Sequence, residues 1–313
     1  MRTVFEEFPG DLDVACIFVE AIMNRTPWNM WDQKTGNAAE GAGTVEAQAV
    51  LEAMLDQNAE AWSHPGLLHL YVHLMEMSPT PEKALKAGDV LRELVPDAGH
   101  LIHMPTHIDV QCGHYQDVLH WNWKATQVDR KALDSMGIYT IYTGYRIHNY
   151  HFAVYGAMFL GQYEPAMKMA QELIEVTPEE LLRVESPPFA TFFESYFALK
   201  VHVMIRFGRW REIIEEPLPE DQLLWANLTA TLHYAKGVAH AALGEVKDAE
   251  TEQAKFLIAR DVMPEDRRLH NVLCLDQLAV AEAMLEGEIE YRKGNYDFAY
   301  RRLHDAIVME DTL

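Results

Sequence analysis

Cysteine is scarce in this chain. Only Cys16, Cys112 and Cys274 occur among 313 residues, and they lie far apart. That excludes a disulfide framework and a thiolate zinc site, and makes a reducing compartment, the cytoplasm, the expected location. Basic residues are a minority, 26 against 48 acidic ones, for a formal charge of −22. Nucleic acid and anionic lipid are bound through clustered Lys and Arg, so neither is an expected partner. No run approaches the ~18 apolar residues of a membrane span. The segment from Met1 to Asp13 has no basic stretch leading into an apolar one, so no signal peptide is expected. There is no Gly-rich phosphate loop, no Gly-x-Ser-x-Gly and no His-Glu-x-x-His. The last absence removes the usual metalloprotease reading. No alternating strand pattern of useful length appears.

What remains is an apolar-rich chain (49%) able to bury a core, with one short motif recurring along it. The motif is Gly, any residue, then an aromatic or apolar residue. It occurs at Gly113-His114-Tyr115, Gly161-Gln162-Tyr163, Gly208-Arg209-Trp210, Gly244-Glu245-Val246 and Gly294-Asn295-Tyr296. Three residues further on stand Val118, Ala166, Ile213, Ala249 and Ala299. A glycine ends one helix in a left-handed turn, the aromatic residue opens the next, and the small residue admits a close helix approach. The spacing predicts helix pairs over 67–78 with 81–95, 99–112 with 115–130, 142–160 with 163–176, and 188–207 with 209–217. Two more follow, 223–243 with 246–260 and 272–293 with 295–309. Upstream, 11–24 and 44–58 form another pair across a loop carrying Pro27-Trp28-Asn29-Met30-Trp31.

This pattern resembles the tetratricopeptide repeat, a helix–turn–helix unit of about 34 residues. Aligned on Gly161, Ala166 and Pro178 fall at the family's small-residue and proline positions, and Ala84 with Pro96 do so in a degenerate earlier repeat. The intervals Gly113 to Gly161 and Gly244 to Gly294 exceed one repeat, so those units carry longer helices or loops. The resemblance covers about 67–309. It implies an all-α solenoid of antiparallel helix pairs, a right-handed superhelix forming one domain over 1–313. Within it lie a His-rich half, 60–155, and less decorated repeats, 156–313. The apolar stretch Ala15-Cys16-Ile17-Phe18-Val19 suits a covered end better than a polar cap. A further repeat, another element or a second subunit is expected over it.

Ten of the 15 histidines lie between His64 and His151. His69 and His103 are 34 residues apart, as are His73 and His107, which places each pair at matched positions of successive repeats. His148 and His151 follow in the next repeat, and His100 shares the register face. In the tetratricopeptide family that face lines the concave groove. Residues i and i+4 of a helix are neighbours, so His69/His73 and His103/His107 are two-pronged imidazole sites. Stacked helices lie ~8–10 Å apart, close enough for both pairs to converge on one cavity. Imidazoles without thiolates suit Zn, Cu or Fe rather than Ca or Mg. Glu76, Asp109, Tyr71 and Asn149 are candidates to orient the rings from behind. Pro105 interrupts the second pair and kinks or restarts its helix.

A narrower resemblance rests on His64-Pro65-Gly66-Leu67-Leu68-His69-Leu70-Tyr71-Val72-His73 and on His103-Met104-Pro105-Thr106-His107-Ile108. Both motifs, with the Trp-rich loop and His148-Asn149, are similar to a subgroup of tetratricopeptide-like proteins for which no reaction is implied. The resulting expectation is a metal-dependent enzyme, hydrolytic or oxidative, acting on a small or peptide-like substrate. His69, His73, His103 and His107 are its metal ligands. His148, His151 and Glu76 serve as base, further ligand or orienter, and Tyr145 and Arg146 as substrate contacts. The alternative is a peptide-binding scaffold without catalysis, the usual role of the tetratricopeptide fold.

Overall fold

The computed structural model describes residues 1–313. Helix accounts for 72% of them, and the sheet is a single two-stranded ribbon, so the fold is all-α. No helix is long and apolar enough to cross a membrane. The chain divides into two compact units, Met1–Leu160 and Gly161–Leu313.

In the first unit Leu12–Met23 packs on Thr44–Gln57, Pro65–Met75 on Leu85–Leu94, and Tyr115–Met136 on Tyr142–Phe159. Leu51, Leu67, Leu68, Leu74, Met75 and Leu91 fill its core and exclude solvent. The apolar segment around Phe18 is covered by a short helix, Arg2–Glu7, whose Phe5 stacks on Phe18 at 4.8 Å between ring centroids. Helix Pro65–Met75 starts on a proline that needs no hydrogen-bond partner. His64 caps it, its Nδ1 accepting from the Leu67 N–H at 3.1 Å.

The stretch 99–112 is two helices, Gly99–His103 and Thr106–Cys112, rather than one. Pro105 cannot donate to the carbonyl one turn back. The His107 N–H turns to Met104, and the vacated His103 carbonyl accepts from the Thr106 hydroxyl at 2.7 Å. Gly99 lies against Tyr115–Met136 so closely that a Cβ would stand 2.0 Å from Asp129 Oδ1 and 3.0 Å from the Ala125 carbonyl.

In the second unit Ala226–Ala242 packs on Val246–Asp261 and Cys274–Lys293 on Tyr296–Glu310, with Ala249 and Ala299 buried. All five motif glycines have φ between 66° and 85°, the left-handed helix end that the motif requires. The expected helix over 188–207 is divided into Phe189–Phe193, a tighter turn Glu194–Ala198, and Leu199–Arg206. At that division the buried Glu194 accepts from the N–H groups of Asn227 and Leu228, at 3.1 and 2.9 Å, and from Arg267 at 2.8 Å. Val272 and Leu273, expected as helix, pair instead with Arg268 and Leu269 in the ribbon.

Candidate metal centre

Four helices of the first unit contribute imidazoles to one place. Pro65–Met75 supplies His69 and His73, one turn apart, with ring centroids at 4.6 Å. Gly99–His103 supplies His100 and His103, Thr106–Cys112 supplies His107, and Tyr142–Phe159 supplies His148. The nitrogens fall into two trios, His69/His73/His100 and His103/His107/His148. Within each trio the ligand atoms lie within 4.8 Å of one another, positioned to hold a metal ion.

The four histidines at matched repeat positions do come together, but they are divided between two groups. The expectation of one or two ions on these four rings leaves the grouping open; the structure arranges two trios, each completed by a ring outside the matched set, His100 in one and His148 in the other. His100 and His103, both on Gly99–His103, fall into different trios, with ring centroids 6.1 Å apart. His100 Nε2 is 3.2 Å from His69 Nε2, and His103 Nε2 is 3.0 Å from His107 Nε2. Tetrahedral ligands at ~2.0–2.1 Å from zinc are about 3.3 Å apart, so both separations suit a shared ion.

The backs of the rings are held. Glu76 is buried between the trios, with Oε1 at 3.0 Å from His73 Nδ1 and Oε2 at 2.5 Å from His107 Nδ1. Burial by itself raises the Glu76 carboxyl, but the two rings outweigh it and hold it far below the usual carboxylate range. An ionised carboxylate only accepts, so His73 and His107 each donate from Nδ1. His103 is fixed similarly by the buried Asn122. The Asn122 amide donates to Thr106 Oγ1 at 2.9 Å and to the Val118 carbonyl at 2.7 Å. Its oxygen therefore faces His103 Nδ1, at 2.6 Å, and accepts from it. With both rings neutral, the form that binds metal, the Nε2 lone pairs of His103 and His107 face one another.

The surroundings are apolar. The Phe152 ring packs on His103, His107 and His148 with centroids at 4.5 to 4.8 Å, and Tyr145 lies 4.5 Å from His100. Burial and the neighbouring rings push His69 down to about 3, His100 down to about 4, and His103 well below the ordinary imidazole value. These rings are neutral at physiological pH, the form that binds metal. His100 Nδ1 is buried without a hydrogen-bond partner.

A cleft opens beside the first trio. Met23, Pro27, Trp28, Met30 and Met77 wall it, and His69, His73, Glu76 and Glu20 line it. The loop between 24 and 43 builds much of the wall and is pinned by Trp31 Nε1, which donates to the Leu74 carbonyl at 2.6 Å. Trp28 holds a left-handed backbone, φ 55°, with its side chain more than half exposed.

Not every expected residue belongs here. His151 lies beside His148, with centroids at 5.9 Å, and outside both trios. Arg146 is buried over Tyr150 and beside Asp129. Of the four expected orienting residues, Glu76 alone takes that role. The Tyr71 hydroxyl donates to Glu52, Asp109 pairs with Arg92, and Asn149 donates to Asp129. His100 is a ring the expected ligand set lacks, although its register position is visible in the sequence, and Asn122 carries no sequence signal at all. Two further groups, Asp109/His114/Asp117 and His240/Glu245/Asp248, lie at helix turns; Asp109 is engaged by Arg92 and His114, and Glu245 by His240. Comparison with protein-family models and with curated proteins gave no match.

Proposed function

We propose that the protein is a metal-dependent hydrolase on a tetratricopeptide-like scaffold, with a transition ion, zinc best of all, held by buried histidines. The observation that carries this reading is the pair of Nε2 atoms 3.0 Å apart on His103 and His107, each ring fixed by a hydrogen bond behind it. When both rings are neutral, their facing lone pairs repel unless a cation lies between them. Second-side anchoring of this kind, carboxylate or amide to imidazole, is what orients metal-binding histidines. Neutral ligands leave the full charge of a divalent ion in place, and that charge can lower the pKa of a coordinated water to ~7. Hydrolysis is the reaction class that uses such a water.

The cleft beside His69 and His73 supports a small or peptide-like substrate with an apolar group, which Met23, Met30, Met77 and Trp28 would cover. Glu20, on the cleft wall, is the available proton acceptor. Tyr145, against His100, extends the apolar surroundings.

The test is elemental analysis of protein purified without chelators and then offered Zn, Cu or Fe. The parent is expected to retain metal. Joint His73→Ala and His107→Ala substitution should abolish retention while the helical circular dichroism persists. Turnover of ester, phosphoester or dipeptide probes by the zinc-loaded parent should vanish in the same variant. A parent that holds none of the three metals overturns the reading.

A further inference from the structure

We infer that the centre takes two ions, one per trio, coupled through the single carboxylate of Glu76. The inference rests on the metal-binding reading above and adds the number of ions and the link between them. The ligand atoms meet a mutual 4.8 Å limit within each trio. Across the divide the rings stand farther apart, 6.2 Å between His73 and His107 centroids and 6.1 Å between His100 and His103. Ligands of one zinc ion lie ~2.0–2.1 Å from it, so one ion gathers one trio and leaves the other bare. Each trio also has its own close pair, His69 with His100 and His103 with His107. Three ligands leave a fourth position open at each ion.

Glu76 touches a ring of each trio. Its two oxygens are divided, one to His73 and one to His107, so a single negative charge orients a ring on each side. An ion on His73 polarises that ring's N–H and draws the carboxylate toward it, at the expense of His107. The two ions also repel one another. The second ion therefore binds more weakly than the first. An amide in place of Glu76 has one acceptor oxygen. Its NH2 group would face the other ring and force that ring's proton onto Nε2, the atom the ion needs.

The experiment is a titration of the metal-free full chain with Co(II) or Zn(II), with bound metal counted after gel filtration. The expected count is two per chain, in two phases. It falls to one in His100→Ala and to one in His148→Ala, and stays at two in His114→Ala, which removes a ligand from the separate Asp109/His114/Asp117 group. Glu76→Gln should weaken one phase by about 10–100-fold and spare the other. Cu(II)-loaded parent should give a spectrum broadened by a neighbouring spin. A parent that binds one ion, with the narrow spectrum of an isolated Cu(II), overturns the two-ion centre and leaves the metal reading intact. A parent that binds none overturns both. Loss of the second ion in His114→Ala would assign it elsewhere and also defeat the proposal. The parent's count does not depend on how any variant folds.

Discussion

Asp129 shows what a single residue costs near this centre. Its carboxyl is buried against Gly99, accepts from Asn149 Nδ2 at 2.6 Å through Oδ2, and has no hydrogen bond at Oδ1. Burial raises it to about 7, against the opposing effects of Asn149 and Arg146. A group whose pKa is higher in the folded than in the unfolded chain stabilises the fold when protonated. Its contribution is complete below the unfolded value of ~3.9 and is lost as pH rises through about 7. His69 and His100 act in the opposite sense. Their pKa values fall on folding, to about 3 and 4, so the fold loses stability as pH drops below the unfolded value of ~6.5. Asp129→Asn should therefore remove a loss of stability, of order 1–3 kcal/mol, that develops between about pH 4 and 7. Urea denaturation at a series of pH values reads this directly as a changed limb between about pH 4 and 7 in the variant. An unchanged limb would mean that Asp129 is ionised throughout.

At the scale of elements, the repeat motif was legible and its interruptions were not. Glycine followed by an aromatic residue marks a helix end because only glycine reaches the left-handed turn cheaply. Tyr163–Val176, Val246–Asp261 and Tyr296–Glu310 accordingly begin where the motif puts them. The break in 99–112 was signalled by Pro105, but the division of His100 and His103 between the two trios was not, because it depends on what packs against either side of one short helix. Tyr145 and Arg146 illustrate a related limit. Adjacent helix positions diverge by ~100°, so only one of two neighbours can face a given site. Tyr145 lies on His100 and Arg146 is buried beside Asp129. Asn122 and the Trp28 cleft wall were illegible because their roles arise from tertiary packing. The buried small residue of the motif also makes a prediction. Ala249 excludes solvent completely in the pair Ala226–Ala242 and Val246–Asp261, so Ala249→Leu should overpack it by roughly 1–3 kcal/mol. Thermal denaturation checks this. Because Ala249 is in the second unit, the variant's metal content should match the parent's.

For the whole molecule, the division into Met1–Leu160 and Gly161–Leu313 matters because all six imidazoles and Glu76 lie in the first unit. A formal charge of −22 raises the local concentration of cations around the chain generally. Such diffuse attraction is screened by salt and has no reason to favour either unit. Specific coordination does. A ligand that binds only the native state stabilises it by RT ln(1 + [L]/Kd), about 2.7 kcal/mol at a hundredfold excess over Kd. The gain appears where opening the structure releases the ion. Hydrogen exchange with and without zinc, at moderate salt, distinguishes the two mechanisms. Slower exchange is expected in Pro65–Met75, Gly99–His103, Thr106–Cys112 and Tyr142–Phe159, the four helices that carry the rings. The helices Ala226–Ala242 and Cys274–Lys293 should be unaffected, and a chelator should restore the original rates. Uniform protection over both units, or protection abolished by 0.5 M NaCl, would assign the metal to the acidic surface and not to the histidines.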